Sequence, residues 1–219
     1  GQITLASHHE AADYTMARTR VGMVETVIGA AMLLAVTLGG GLEAASTAWA
    51  PRFAPGSHAH GIAFIMTVAV VGGIVDLPFG LVRTFVIEAR FGFNRMSLRL
   101  FVLDLVKFTA LGALFGVPLV FVVLWLMAKL GGFWWIAVWL VWVAFSLLVA
   151  TIYPTFIAPL FNKFSPLEDA GLRSRIEALL VKCGFRARGL FVMDGSKRSS
   201  HGNAYFTGFG AAKRIVLFD

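Results

Sequence analysis

The sequence predicts a mainly α fold: a polytopic membrane helix bundle of about four transmembrane helices, followed by a partial cytosolic α+β domain. Of the 219 residues, 58% are hydrophobic and 14% are charged, whereas soluble domains contain roughly 45–50% and about 25%. From Tyr153 the composition changes towards that of a soluble domain. We therefore predict a lead-in segment at 1–20, a transmembrane bundle at 21–160 and an incomplete cytosolic domain at 161–219.

Four segments have about the 20 mainly apolar residues that a transmembrane helix needs: residues 21–42, 62–82, 108–127 and 133–152. Ionisable groups at membrane depth are costly and usually face the bundle interior or a wet cavity. Glu25 and Asp76 are such groups, and Asp104 and Lys107 are spaced to pair on one helical face. The alternative is that all four form structural ion pairs or extend to the membrane interface.

The net charge of +7 is explained by orientation rather than by nucleic-acid binding. If the helices alternate in direction, the opposite face of the membrane receives only Arg52 and Lys129, and all other Lys and Arg residues outside the spans share one face. Basic loops favour the cytoplasmic side. The sequence thus predicts a multi-pass integral membrane protein in a lipid bilayer, with its C-terminal part cytosolic and no nucleic-acid partner.

The C-terminal part contains an amphipathic helix and short strands. In "SPLEDAGLRSRIEALLVKCGF", Ser165 is the predicted N-cap, Pro166 the first helical residue and Glu168 the capping-box acid. Gly184 ends the helix. The segment "LFVM" predicts a buried strand, and "SSHGNAYFTGFGAAKRIVLFD" predicts two strands joined by a glycine turn.

Residues alone do not identify an enzyme. The sequence has no H-E-x-x-H, C-x-x-C or G-x-S-x-G motif, and His58 and His60 have no acid or cysteine nearby to complete a metal site. Ser200 and His201 are adjacent, so on a strand they point to opposite faces. The loop "FVIEARFGFNRMSLRLF" is too apolar to be free in solution, and we expect it to fold back against the cytosolic domain or the membrane surface.

Three segments resemble signature segments of the type I CAAX prenyl protease family: "FVIEARFGFNR", "IYPTFIAPLFNKFSPL" and "MDGSKRSSHGNAYFTGFGAAKRIVLFD". That family consists of polytopic membrane zinc metallopeptidases, and the resemblance covers residues 76–219 in matching order. It implies a barrel of helices around a wet chamber and a partial metalloprotease domain. It also implies cleavage of extended peptide or protein substrates, including prenylated C-a-a-X tails, by zinc-activated water.

The resemblance further implies that the catalytic residues lie elsewhere. In that family the hairpin ending "RIVLFD" precedes the helix with H-E-x-x-H, which this chain lacks. We therefore expect no catalytic residue and no metal ligand in residues 1–219, Zn²⁺ ligands outside this chain, and no activity of the chain alone. The expectation is that it is an internal part of a longer protein.

Substrate-binding residues can be carried over from the resemblance. An Asn-Ala-aromatic strand runs beside the metal site in such proteases and pairs with an extended substrate. Here that strand contains Asn203, Ala204 and Tyr205, with His201 just before it. The alternative for the strand is an ordinary hairpin. For the whole protein, the alternative is a non-catalytic transport or scaffold subunit, which would also use intramembrane charges.

Overall fold

A computed structural model describes residues 4–185, 187–208 and 213–219. Its helices are α1 (Leu5–Thr37), α2 (Gly41–Trp49), α3 (His58–Leu81), α4 (Leu98–Leu130), α5 (Trp134–Ile152), α6 (Ala158–Phe161) and α7 (Ala170–Lys182). Its strands are β1 (Phe164–Pro166), β2 (Gly189–Met193), β3 (Ala204–Thr207) and β4 (Arg214–Phe218). Segments of π-helix, Val82–Glu88 and Tyr153–Ile157, continue α3 and α5.

Among the described residues, three helical runs are long and apolar enough to cross a membrane: His8–Thr37, His58–Glu88 and Leu98–Phe161. The third run has 64 residues and includes both α4 and α5, so the helices predicted at 62–82, 108–127 and 133–152 are confirmed. The prediction at 21–42 is wrong at its C-terminal end, because α1 stops at Thr37. Gly40, with φ +81°, then provides the left-handed turn into α2.

The chain divides into two compact units, and the first comprises Gly1–Asn94 and Thr109–Gly132. Within it, Glu25 forms an ion pair with Arg83 across α1 and the π-helical segment. Asp76 is exposed. The intramembrane acid Glu25 therefore has a basic partner 58 residues away in the sequence, which satisfies the requirement that charge at this depth be paired.

His58 and His60, both in the first unit, each contact another residue of that unit. The buried His60 ring has its Nε2 atom 2.9 Å from the Ser46 carbonyl oxygen, and the His58 ring lies 5.5 Å from the Phe121 ring. These contacts give both rings structural partners.

The apolar loop after α3 is packed. The Tyr14 ring of α1 meets the Phe91 and Phe93 rings edge-on, at 5.3 and 5.2 Å between centroids. Beyond these aromatic residues, the Arg95 amide donates to the Arg198 carbonyl at 3.0 Å. The loop thus makes a backbone contact with the C-terminal domain, as its composition predicted.

The second unit comprises Arg95–Phe108 and Phe133–Asp219 and contains the sheet. The strand order is β1-β2-β4-β3, with β2 and β4 parallel and both outer strands antiparallel to their neighbours. Leu190, Met193 and Val216 form its buried core. The predicted strand "LFVM" and the closing pair of strands are confirmed, and the predicted glycine turn falls partly on residues 209–212, outside the described residues.

The predicted N-cap of α7 is wrong. Ser165 and Pro166 belong to β1, where they pair with Val192 and Phe191 of β2. The cap is instead Asp169, whose side-chain oxygen accepts from the Leu172 amide at 2.9 Å. Ser165 and Pro166, the first two residues of the predicted helix start, are used by the pairing of β1 with β2. The next capping side chain in the sequence, Asp169, then caps the helix.

Candidate functional site

The outer edge of β3 is an open strand edge, because β4 is its neighbour on one side and β3 ends the sheet among the described strands. The Phe218 amide donates to the Asn203 carbonyl at 2.9 Å. Hydrogen-bonded and non-hydrogen-bonded pairs alternate along an antiparallel ladder. The N–H and C=O groups of Ala204 and Phe206 consequently point to the open edge, where an extended peptide can pair with them.

Asn203 lies at the start of this edge with an exposed side chain. Its Oδ1 accepts from the Ala204 amide at 2.8 Å, so its carboxamide covers the first outward-facing donor of the edge. The Nδ2 group of an asparagine supplies two donors. A peptide arriving at the edge therefore meets a side-chain amide next to the backbone groups.

The side chain of Tyr205 packs against the neighbouring strands of the sheet, where it contacts Met193 of β2 and Phe218 of β4. Its hydroxyl lies 3.9 Å from Met193 Sδ and its ring meets Phe218 edge-on at 6.2 Å. Burial, and then the nearby Tyr153, raise the pKa of Tyr205 above its usual value, so its hydroxyl stays neutral. The same alternation that exposes Ala204 turns the Tyr205 backbone towards β4.

His201 lies in the exposed turn before β3. Its amide approaches Ser199 Oγ at 3.3 Å, and its side chain is exposed. The structure thus brings Asn203, Ala204 and Tyr205 together on one strand and leaves His201 in the turn that leads to it.

Two grooves flank β3. One, of about 350 Å³, lies between α7 and the strand and is lined by Leu179, Leu180 and Phe206 among others. The other, of about 550 Å³, runs from Phe145 to Tyr153 along α5 and reaches Phe206. Side chains of an added strand alternate between its two faces, so both faces have space for them.

The turn before β3 is tied to the end of β4. The Asp219 carboxylate accepts from the Ser196 amide and from Ser196 Oγ, both at 2.8 Å. These two bonds, the amide first, lower the pKa of Asp219 below its ordinary value. Beside them, Lys197 Nζ donates to the Phe161 carbonyl at 2.8 Å and to Asp194 Oδ2 at 2.9 Å.

Sequence reasoning missed Arg198. Its guanidinium bonds Asp104 Oδ2 of α4 at 2.8 Å and the Phe161 carbonyl at 2.8 Å, and it also bonds Asn162 Oδ1. The predicted pair of Asp104 with Lys107 is therefore wrong, since Lys107 Nζ donates to the Leu160 carbonyl at 2.7 Å. Arg198 is 94 residues from Asp104 in the sequence, so no local spacing pattern could have indicated this pair.

The described residues do not form a metal site. No three His, Cys, Asp or Glu side chains among them lie close enough together to hold a metal ion.

Comparison with known proteins assigns the family. A family model described as "CAAX prenyl protease N-terminal, five membrane helices" matches residues 1–163, and one described as "Peptidase family M48" matches residues 166–219. The long apolar helices and the sheet define a multi-pass integral membrane protein with part of a peptidase domain. The chain belongs to the M48 metallopeptidase family, within its CAAX prenyl protease group.

Individual relatives agree with this assignment. CAAX prenyl protease 1 homologues from Arabidopsis thaliana and Homo sapiens are 46% and 39% identical to it, over 73% and 72% of this chain and 38% and 33% of their own lengths. The crystal structure of S. mikatae Ste24p superposes with a TM-score of 0.87 at 34% identity, covering 99% of this chain and 52% of that one. The chain thus spans about half of Ste24p and about a third of the length of these relatives.

Proposed function

We propose that this chain is the substrate-holding portion of a membrane zinc endopeptidase that cleaves extended peptides. The observation that supports this best is the open edge of β3 with the Asn203 carboxamide at its start. Membership of the M48 family supplies the reaction class, hydrolysis of a peptide bond.

The proposed binding mode is strand addition. A substrate strand would pair with the outward C=O group of Ala204 and the outward N–H and C=O groups of Phe206, which give affinity without sequence preference. Asn203 would contribute a side-chain amide that fixes the register of the peptide, and correct register places the scissile bond for reaction. Tyr205 would hold the strand against the sheet while this happens, and the two grooves beside β3 would receive substrate side chains.

The proposed cofactor is Zn²⁺ held by residues outside this chain. The described residues offer no set of three suitable side chains, and a catalytic zinc site needs three protein ligands. What residues 1–219 would contribute is the strand that presents the peptide to such a centre.

The proposed substrates are proteins with prenylated C-a-a-X tails, the class after which the relatives are named. A prenyl chain partitions into the lipid bilayer at about 0.8 kcal/mol per buried CH₂. A membrane-embedded enzyme would therefore meet such a tail already anchored beside it, with the sheet domain in the cytosol where these tails are exposed.

The test is Asn203→Ala in the full-length protein. We expect kcat/KM for a prenylated peptide to fall by roughly 5- to 150-fold, because loss of one positioning hydrogen bond costs on the order of 1–3 kcal/mol. Zinc content and thermal unfolding should stay at wild-type values. Glu177→Gln, on the exposed face of α7, is the matched control and should cleave normally.

Two results would count against the proposal. Normal cleavage by Asn203→Ala would show that Asn203 does not bind substrate. A fall in unfolding temperature with unchanged turnover per folded molecule would assign Asn203 a structural role. Comparing the same peptide with and without its prenyl group tests the substrate class separately.

A further inference from the structure

The Arg198 cluster (Asp104, Phe161, Asn162 and Arg198) lies outside the strand edge but is connected to it. Two nitrogens of the Arg198 guanidinium reach the same Asp104 oxygen, at 2.8 and 2.7 Å. A third contact goes to Asn162 Oδ1 and a fourth to the Phe161 carbonyl at 2.8 Å. One side chain thus connects the turn before β3 to α4 and to the end of α6.

Burial makes the charge of Asp104 costly unless Arg198 pairs with it. Asp104 is 7% exposed, and its Oδ1 atom has no hydrogen-bond partner among the described residues. A buried carboxylate without its cation is strongly destabilised, so Asp104 holds the Arg198 guanidinium in one place. The backbone of Arg198 is fixed as well, since its carbonyl accepts from the Arg95 amide at 3.0 Å.

The segment that contains Arg198 has both ends tied to β4. At one end the Ser196 amide donates to Asp219 at 2.8 Å, and at the other the Phe218 amide donates to the Asn203 carbonyl at 2.9 Å. Between these two points lies Arg198, attached to the helices. A displacement of Arg198 is therefore transmitted through residues 199–202 to the start of the β3 edge.

We propose that Arg198, held by Asp104, is a positioning residue that sets where Asn203 and the edge of β3 stand relative to the bound peptide. This inference rests on the proposed function, in which that edge binds substrate. Arg198 does not touch the peptide. It acts through Asn203, and weakening its ion pair with Asp104 lets the start of the strand move.

The test is a double-mutant cycle on kcat/KM in the full-length protein, combining Asp104→Asn with Asn203→Ala. Asp104→Asn keeps the shape of the side chain and removes its charge. We expect it to lower kcat/KM by about tenfold, since small misplacements of positioning groups cost up to about 100-fold. In the Asn203→Ala background the same change should cost about twofold or less, because residues acting through one another are not additive.

Arg198→Gln is the second variant and should show the same non-additivity with Asn203→Ala. Arg173→Gln is the matched control: it also breaks an arginine–carboxylate ion pair, with Glu177, but on the exposed face of α7. Its effect on kcat/KM should be negligible in both backgrounds. All rates are divided by the amount of folded, zinc-loaded enzyme.

The outcomes separate the two hypotheses. If Asn203→Ala alone leaves cleavage unchanged, the proposed function and this inference fall together. If Asn203→Ala is impaired but Asp104→Asn and Arg198→Gln cost the same factor in both backgrounds, only the positioning role is overturned. A loss explained entirely by less folded protein, including failure of both variants to fold, would also overturn it and make the cluster purely structural.

Discussion

At the residue scale, the end of β4 is fixed by one carboxylate. Asp219 accepts from both the amide and the hydroxyl of Ser196, and its own amide donates to the Met193 carbonyl at 3.1 Å. Hydrogen bonds to the ionised form lower the pKa of an acid. The turn that leads to Asn203 therefore depends on Asp219 being charged.

This dependence predicts a pH effect. Because the pKa of Asp219 is lower in the folded protein than in the unfolded chain, its contribution to stability is present above about pH 4 and is lost as the pH falls through the folded pKa. Asp219→Asn should lower the unfolding temperature of the full-length protein at pH 7. The difference from wild type should shrink as the pH falls below about 4 and vanish once the carboxyl of the folded protein is protonated.

Thermal unfolding of both proteins across that pH range is the measurement. Ser196→Ala, which removes one of the two bonds, should show a smaller effect with the same pH dependence. A difference that stays constant from pH 7 to pH 2 would mean that Asp219 contributes through packing rather than through its charge.

Residue-scale predictions from the sequence succeeded unevenly, and the reason is physical. The sequence identifies Asp104 as a costly acid and indicates Lys107, three positions away, as a possible partner on the same helical face. The actual partner, Arg198, comes from a turn far along the chain. Local spacing indicates which ion pairs are possible within one helix. Which basic side chain actually forms the pair is decided by the tertiary fold, because a residue distant in the sequence can lie closer in space.

At the element scale, α7 shows the competition between a local motif and a strand. Asp169 caps the helix through the Leu172 amide. Ser165, which has the motif of a capping box, lies in β1 and pairs with Val192 of β2. Asp169→Ala should destabilise the domain by about 1 kcal/mol. Ser165→Ala should leave the stability of the helix unchanged, because its side chain does not cap α7.

Hydrogen exchange of the amides in the first turn of α7 measures this directly. Faster exchange at Leu172 in Asp169→Ala, with no change in Ser165→Ala, is the expected pattern. Faster exchange in Ser165→Ala instead would restore the original capping assignment and contradict the strand.

The elements that the sequence did predict share one property. Residues 108–127 and 133–152 carry no charged side chain, and 62–82 carries only Asp76. A lipid environment requires such segments to be helical because their backbone groups must bond internally. "LFVM" is similarly unambiguous as a buried strand. The open edge of β3 was predicted only through a family resemblance, because pairing order in a sheet is set by long-range contacts such as β2 with β4.

At the scale of the whole molecule, the orientation in the membrane follows from the number of helices that cross it and from the distribution of basic residues. Ser57 precedes α3, and three helices that cross a membrane by length, α3, α4 and α5, separate it from the sheet domain. An odd number of crossings places the two on opposite sides. The positive-inside preference then assigns the sheet domain to the cytosol and Ser57 to the other side.

Cysteine accessibility tests this orientation with a built-in reference. Cys183 is the single cysteine of these 219 residues and is exposed after α7, so it reports the side of the sheet domain without any substitution. In sealed vesicles of known orientation, a membrane-impermeant thiol reagent should label Cys183 only from the cytosolic side. Ser57→Cys in a Cys183→Ser background should be labelled only from the opposite side, and Ser196→Cys in that background should behave as Cys183 does. Labelling of positions 57 and 196 from the same side would require an even number of crossings between them, so one of α3, α4 and α5 would not span the bilayer, and the cytosolic placement of the substrate edge would lose its basis.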